Sequence, residues 1–402
     1  MDVKKNCLQG NIMIRHIAYK YRLKPKEDQK IFFEKSFGCC RKVWNLMLGD
    51  KIRSYEENGF FGNFTPAMYK DEHPYLKEVD SLALANVQLN LQQAFANCFV
   101  SRHCGFPKFR SKHKSKKTYT TNNQNGTAAV GDNYVKLPKI GKVKAVIHRK
   151  PALDMTVRSV TVSGTSDGKY YASVMFEYNE ADIKAVPDET KSIGLDYKSD
   201  GLYMDSDGNI GTNHKYFRES QKKLARAQKK LSRMLEQNID HYIGSGKGRK
   251  PVWKRPVEEC RNIQKQKRKV AKIYSHTANQ RKDNLHKKST AIAKKYDVVC
   301  AETLNMRNIS NRKFRNGKAT MDNGYGMFLN MLEYKLERKG GKIIKVDRYY
   351  PSTQICSRCG RKHKLSLAER IYRCECGLTI DRDINAARNI LGEGLRILRE
   401  SS

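Results

Sequence analysis

Four cysteines near the C-terminal end constrain this chain more tightly than any other feature. Cys356 and Cys359 lie in ICSRCG, and Cys374 and Cys376 in YRCECG, so the spacing is C-x2-C, fourteen residues, C-x-C. Two short knuckles of this kind bring four thiolates to one tetrahedral point, which suits a closed, structural Zn²⁺. A redox pair or an iron–sulfur cluster draws on the same side chains but suits a ribbon this small less well. Residues 351–379 are therefore expected to fold as a zinc ribbon whose metal binding is also its folding energy. The other seven cysteines (Cys7, Cys39, Cys40, Cys98, Cys104, Cys260 and Cys300) are scattered through mostly apolar or helical contexts. That distribution fits reduced thiols in a cytoplasm better than a disulfide framework.

The elements around the ribbon give it a context. From residue 191, SIGLDYKSDGLYMDSDGNIGTN reads as three short strands with turns at 199–201 and 206–208. A basic helix over 215–237, a Gly-, Pro- and charge-rich loop over 238–257 and a second basic helix over 258–296 follow. Then come a buried strand at 297–301, a helix at 327–338, a strand at 342–346 and a final helix at 383–398. The order β-β-β-α-α-β-α-β-α is the RNase H-like plan, and the chain as a whole reads as a multidomain α+β protein. In that topology the end of the first strand, at Asp196, converges with the end of DVVCAE, at Glu302, and with the start of the final helix, at Asp381 and Asp383. Taken singly, each acid is ordinary: a strand-end Asp is usually a turn residue and a helix-start Asp an N-cap. Together they repel, and each raises its neighbour's pKa. Divalent cations remove that penalty, and Mg²⁺ takes oxygen ligands while keeping positions for water and phosphate. Two such ions a few ångströms apart suit phosphodiester hydrolysis.

The N-terminal half differs in kind. A strand over 14–23 precedes a helix opened by Pro25, whose apolar positions Phe33, Phe37, Cys40, Trp44 and Met47 mark one buried face. A second helix over 81–99 presents Leu84, Val87, Leu91, Phe95 and Cys98 on one face. Short β segments follow at 134–137, 142–147, 157–162 and 170–178, the last two joined through the turn Asp167-Gly168. With the first strand they are expected to form one barrel, into which the helices are inserted. Met13 directly precedes the first strand, so residues 1–12 read as an extension.

Charge indicates the partner. Lys and Arg number 79 against 41 Asp and Glu, a net charge of +38, and an excess of that size favours a polyanion. The alternatives are a solubilising coat or an anionic membrane surface, and the latter needs a bulky apolar face that the basic helices lack. GFPKFRSKHKSKK carries six Lys or Arg in thirteen residues, with Phe106 and Phe109 between them. Lys108, Arg110 and Lys112 are candidate phosphate contacts, and the aromatics suit stacking on bases. The bland reading is a solvated loop with a hydrophobic anchor. Residues 215–233 hold eight Lys or Arg against one acid, which makes Lys222, Lys223 and Arg226 candidates for a nucleic-acid channel. No run of about 18 apolar residues suggests a membrane span, and the N-terminus lacks the apolar core of a signal peptide.

These features together resemble the transposon-encoded TnpB family. GLDYKSDGLYMDSDG is similar to its first RuvC motif, VVCAETLNMRNIS to its second and DRDINAARNI to its third, with a cysteine ribbon just ahead of the third. YKYRLKPKEDQK, GFPKFR, RKDNLHKKS and YPSTQICSRCG resemble the family too, so the likeness covers 13–395. The resemblance implies a RuvC-like nuclease domain at 189–350 and 380–402, interrupted by the ribbon at 351–379. It also implies a wedge-like β-barrel at 13–24 and 104–188 with a helical recognition domain inserted at 25–103. The implied activity is that of a transposon-associated, RNA-guided DNA endonuclease, a monomeric ribonucleoprotein in a prokaryotic, nucleoid-associated cytoplasmic setting. Such a protein binds a transposon-end guide RNA, recognises a short adjacent motif in duplex DNA, opens an R-loop and cuts both strands at one Mg²⁺-dependent site.

The family's catalytic and Mg²⁺-binding acids fall on Asp196, Glu302 and Asp383, with Asp381 as a neighbour or cap. Thr121 and Asn122 match a Thr-Asn pair near the DNA. The chain departs from many relatives at Tyr197-Lys198, where a glycine is usual, and in the C-x-C form of its last knuckle. Ser81 and Ala85 stand where some relatives carry larger polar residues that read the adjacent motif. Three other readings use the same residues: an RNA-guided repressor that has lost cleavage, a strand-transferring transposase, and an unguided RuvC-like nuclease. Retention of all three acids counts against the first, and the ribbon and long N-terminal half count against the others.

Overall fold

The structure is a computed structural model that describes residues 12–100, 104–181, 186–310, 317–366 and 369–401. Of the expected extension, residues 1–11 lie outside the described residues. The chain divides into two compact units, Met1–Asp182 and Ile183–Ser402. No helix among the described residues is long and apolar enough to cross a membrane.

The first unit begins with β1 (Ile12–Leu23), α1 (Glu27–Asn58) and α2 (Ser81–Val100). It continues with β2 (Lys117–Asn122), β3 (Ala129–Val130), β4 (Tyr134–Leu137), β5 (Gly141–Val146), β6 (Thr156–Gly164) and β7 (Tyr170–Ala181). The strands form one sheet in the order β2-β6-β7-β1-β5-β4-β3. β2 and β3 stand at its ends, with no ladder between them among the described residues. β1 pairs antiparallel with β7 along its whole length, and alternate residues Tyr19, Tyr21 and Leu23 are buried. The apolar stripes expected on the helices are buried against this sheet, except that Cys98 is only partly covered. Phe33 and Phe37 of α1 meet Tyr119 of β2 at ring-centroid distances of 6.3 and 5.8 Å. β2 was not expected from the sequence, because only Tyr119 and Thr121 of KTYTTN face inward and the strand directly follows a basic run.

The second unit opens with β8 (Ser192–Tyr197), β9 (Tyr203–Asp205) and β10 (Ile210–Gly211), then α3 (Tyr216–Gln237). The stretch expected to be a loop instead forms a hairpin of β11 (Ile239–Ile243) and β12 (Lys250–Trp253) at the far end of α3. Its side chains are mostly exposed, so no apolar alternation announces it. α4 (Arg261–Lys295), β13 (Val298–Glu302), α5 (Met306–Ile309), α6 (Gly317–Asn323), α7 (Tyr325–Glu337) and β14 (Lys342–Val346) follow. β15 (Ile371–Arg373) and β16 (Thr379–Asp381) make a small hairpin that runs directly into α8 (Arg382–Glu400).

The five-stranded sheet has the order β10-β9-β8-β13-β14, antiparallel through the first three strands and parallel from β8 to β14. β13 is covered on both faces, as central parallel strands are. Val299 and Ala301 pack with Leu285, Ile292, Phe328 and Leu332 from α4 and α7, whereas Val298 and Cys300 pack with Ile390 and Leu398 of α8. α8 lies so close to the sheet that a Cβ at Gly194 would collide with the carbonyl oxygen of Ala387. A Cβ at Gly394 would strike Cys300 in the same way. This seating fixes the start of α8 against the end of β8.

The Gly194→Ala variant is therefore expected to lose about 1–3 kcal/mol of stability through overpacking. Gly392→Ala, on the same helix with open space around its Cβ, is expected to keep its stability or gain slightly. Denaturant unfolding of the two variants measures the difference.

Candidate active site

The parallel register of β8 and β13 aligns Leu195 with Ala301, so the next residues, Asp196 and Glu302, come at the same end of the two neighbouring strands. The third acid comes from the start of α8. Asp381 is the N-cap: its carboxylate accepts from the backbone N–H of Asp383 at 2.8 Å and of Ile384 at 3.3 Å. That role frees the Asp383 carboxylate, whose Oδ2 accepts from Lys198 Nζ at 2.6 Å. Arg382 Nε lies 3.9 Å from its other oxygen.

The acids act on one another electrostatically. Burial, then the charges of Glu302 and Asp383, push the Asp196 carboxyl up to about 8, against the opposing pull of Lys198 and Arg382. Burial raises Glu302 as well. Tyr325, at the start of α7, is buried and its hydroxyl has no hydrogen-bond partner among the described residues. After burial itself, Asp196 and Glu302 are the main causes of its raised phenol pKa. Among the described residues only the four cysteine sulfurs are drawn together at metal-ligand spacing; the carboxylates of Asp196, Glu302 and Asp383 are oxygen donors of the kind that a hydrated divalent cation takes. Asn323 holds the turn that follows Asp196, giving its amide hydrogens to Ser199 O at 2.9 Å and Lys198 O at 3.2 Å.

The four cysteine sulfurs all lie within 4.8 Å of one another. Cys356–Cys376 and Cys359–Cys374 are each 3.6 Å apart, near the roughly 3.8 Å that tetrahedral bonds of about 2.3 Å require. The knuckles close through Gly360 N–H to Cys356 O and Gly377 N–H to Cys374 O, with φ of 77° and 86° at the two glycines. Burial opposes ionisation of Cys356, but N–H groups of Cys359 and Arg358 and the neighbouring thiols outweigh it and bring the thiol down to about 7. Two buried asparagines of α8 hold this first knuckle. Asn385 accepts from Ser357 N–H at 3.0 Å and donates to Ile355 O at 2.7 Å, and Asn389 donates to Ser352 O at 2.7 Å. The cysteine cluster thus braces the helix that carries Asp383.

The sequence reading missed Asn323, Tyr325, Asn385 and Asn389. Only the last two left a signal, as poor helix formers one turn apart on the inner side of a helix. Lys198 was noticed as a departure in the turn, not as a charge partner.

The candidate nucleic-acid contacts divide. Lys108 and Lys112 are exposed, as are Lys222, Lys223 and Arg226, which flank the buried Leu224 and Ala227 of α3. Arg110 is partly covered, its guanidinium 3.4 Å above the Trp44 ring and its backbone bonded in both directions to Asn45. Phe106 packs edge-on against Phe95 at 5.3 Å, so it anchors the basic segment, whereas Phe109 is 60% exposed. Thr121 is fully buried, and its hydroxyl donates to the Asp80 carboxylate just ahead of α2. Asn122 lines a groove of about 680 Å³ together with Asn86, Thr120, Asn123, Arg158 and Ser159.

Three family models match the chain: a helix-turn-helix domain at 13–59, a probable transposase at 174–313 and a Cas12f1-like TNB domain at 325–390. Over 13–59 the structure has a strand and one long helix. A Streptomyces pristinaespiralis protein named "Putative RNA-guided DNA endonuclease" is 31% identical, over 96% of this chain and 93% of its own. The Escherichia coli K12 protein "Putative RNA-guided DNA endonuclease InsQ" is 30% identical, over 96% and 94%. The chain of a Cas12f1-sgRNA-target DNA complex has the same fold with a TM-score of 0.53 at 14% identity, covering 91% of this chain and 83% of its own. With near-complete coverage of two such relatives, this chain belongs to the TnpB family.

Proposed function

We propose that this protein is an RNA-guided DNA endonuclease that cleaves double-stranded DNA by Mg²⁺-dependent phosphodiester hydrolysis at Asp196, Glu302 and Asp383. The convergence of these three carboxylates, from β8, β13 and the start of α8, carries the reading. The sheet order β10-β9-β8-β13-β14 with α8 packed on β8 and β13 supports an RNase H-like, RuvC-type nuclease. In this reading the first unit is a wedge-like β domain with α1 and α2 as its inserted recognition domain. The names of the full-length relatives support a guide RNA and a DNA target. The exposed cations of α3, with Lys108, Lys112 and the Asn122 groove, are the proposed nucleic-acid contacts, and the particle is a monomeric ribonucleoprotein.

When bound at the three acids, Mg²⁺ supplies an activated water and charge stabilisation for the leaving oxygen. The chain's own contribution is positional. Asp381 caps α8 so that Asp383 faces the site, Asn323 fixes the turn beside Asp196, and Asn385 and Asn389 tie α8 to the ribbon. The four cysteines fit structural Zn²⁺ in a closed site, which keeps that metal out of the reaction.

Three outcomes test this reading. Asp196→Ala is expected to lower guided cleavage of duplex DNA by more than about a hundredfold while guided binding persists. Full cleavage by that variant, or equal cleavage by wild-type protein without RNA, overturns the assignment. The second outcome is a pH effect. A carboxyl raised to about 8 in the folded state stabilises the fold below its unfolded value, near 4, and that stability is lost as pH rises towards 8. Asp196→Asn is therefore expected to raise the Tm of Mg²⁺-free protein at pH 8 and to flatten its decline between about pH 4 and 8, followed by calorimetry. Third, the protein is expected to contain one Zn²⁺ per chain by elemental analysis. Cys359→Ser is expected to lose that zinc and the ribbon's hydrogen-exchange protection.

A further inference from the structure

We infer that Lys198 is the chain's own counter-ion for Asp383 and competes with a divalent cation for that carboxylate, so that it sets how much metal the site requires. The inference rests on the proposed metal site and adds to it a residue that determines metal affinity.

Lys198 lies two residues beyond Asp196, in the turn between β8 and β9. Its ammonium is 2.6 Å from Asp383 Oδ2, and the two side chains are only 20% and 17% exposed. The pair is thus largely withdrawn from water, where charge–charge attraction is less screened than at the surface. The backbone at Lys198 is fixed: its carbonyl accepts from Asn323, and its N–H meets Leu202 O at 3.4 Å. The four-carbon stem is the adjustable part, and an ammonium on such a stem is a compact, movable charge. Among the described residues the other charges near the pair are Arg382, 3.9 Å from Asp383 Oδ1, and the acids Asp196, Asp200 and Asp381. Arg382 stands off its partner, so Lys198 makes the close contact.

A Mg²⁺ ion on Asp383 needs an oxygen at about 2.1 Å. An ammonium hydrogen-bonded to Oδ2 occupies one such direction and repels a second cation there. Metal on Oδ2 therefore requires Lys198 to leave, and metal on Oδ1 meets the repulsion of an ammonium held on the same carboxylate, so that the ion pair opposes metal binding in either case. Once displaced, the ammonium remains at the edge of the site where a phosphodiester must lie.

Mn²⁺ serves as the spectroscopic probe. Full-length protein with its zinc in place is titrated with Mn²⁺, free ion being followed by electron paramagnetic resonance. Lys198→Met is expected to bind Mn²⁺ roughly three- to tenfold more tightly than wild type. Lys198→Arg, which keeps the charge, is expected to stay within about twofold. In an Asp383→Asn background the gain from Lys198→Met is expected to vanish, because the two residues act as one pair. Unchanged or weaker binding by Lys198→Met overturns the inference, as does an equal gain in the Asp383→Asn background. Lys198→Gln replaces Lys198→Met should the latter fail to fold by circular dichroism. Absence of Mn²⁺ binding by wild type instead overturns the metal site itself, which separates the two failures.

Discussion

Asp196 stands where burial and two further carboxylates all oppose its ionisation, and much of the second unit serves to keep it there. Left alone, such a group protonates or the structure around it opens. The fold resists both by close packing: β13 is buried on both faces, and α8 meets β8 at Gly194 and β13 through its own Gly394, with no room for a methyl group at either. The repulsion is thus held in place by apolar contacts that lie away from the acids. Lys198 and Arg382 offset part of it, Lys198 through its contact with Asp383. Functional sites commonly have strained electrostatics supported by ordinary packing nearby.

The cysteine cluster belongs to the same support. Its second knuckle leads through β16 into the cap of α8, and its first is bonded to Asn385 and Asn389. A metal at the cysteines therefore fixes the entry of the helix that carries the third acid. In the proposed reading this gives a physical reason for a ribbon to interrupt the nuclease unit just ahead of α8. An element too small to fold alone gains rigidity from a metal and passes it to a helix terminus that otherwise frays.

Much of this arrangement is legible in the sequence, and the parts that are not have a common cause. The apolar stripes of α1 and α2, the three strands before α3 and the buried run of β13 announce themselves because periodicity and burial coincide. β2 and the β11–β12 hairpin do not, because their side chains face solvent or carry charge. The acids were legible as strand and helix ends, and their spacing matched a family. The choice between Asp381 and Asp383 came from that resemblance, and in the structure two backbone hydrogen bonds make Asp381 the cap of α8. Thr121, a position matched by motif alone, is a buried partner of Asp80, and motif matching does not register which side of a strand faces the core.

In the proposed reading the acids select nothing: carboxylates and Mg²⁺ act on any phosphodiester that reaches them. Selection must then reside in the surfaces that bring a strand to the site, and these differ in character. The exposed cations of α3 suit phosphates, whose recognition is positional and blind to sequence. The groove around Asn86, Asn122 and Asn123 is lined with amides and hydroxyls and a single arginine, Arg158. Amides in that setting are poor attractors of phosphate but good partners for base edges. The charge excess of +38 therefore holds nucleic acid without reading it. Reading falls to base pairing with a guide and to the less charged surfaces of the first unit.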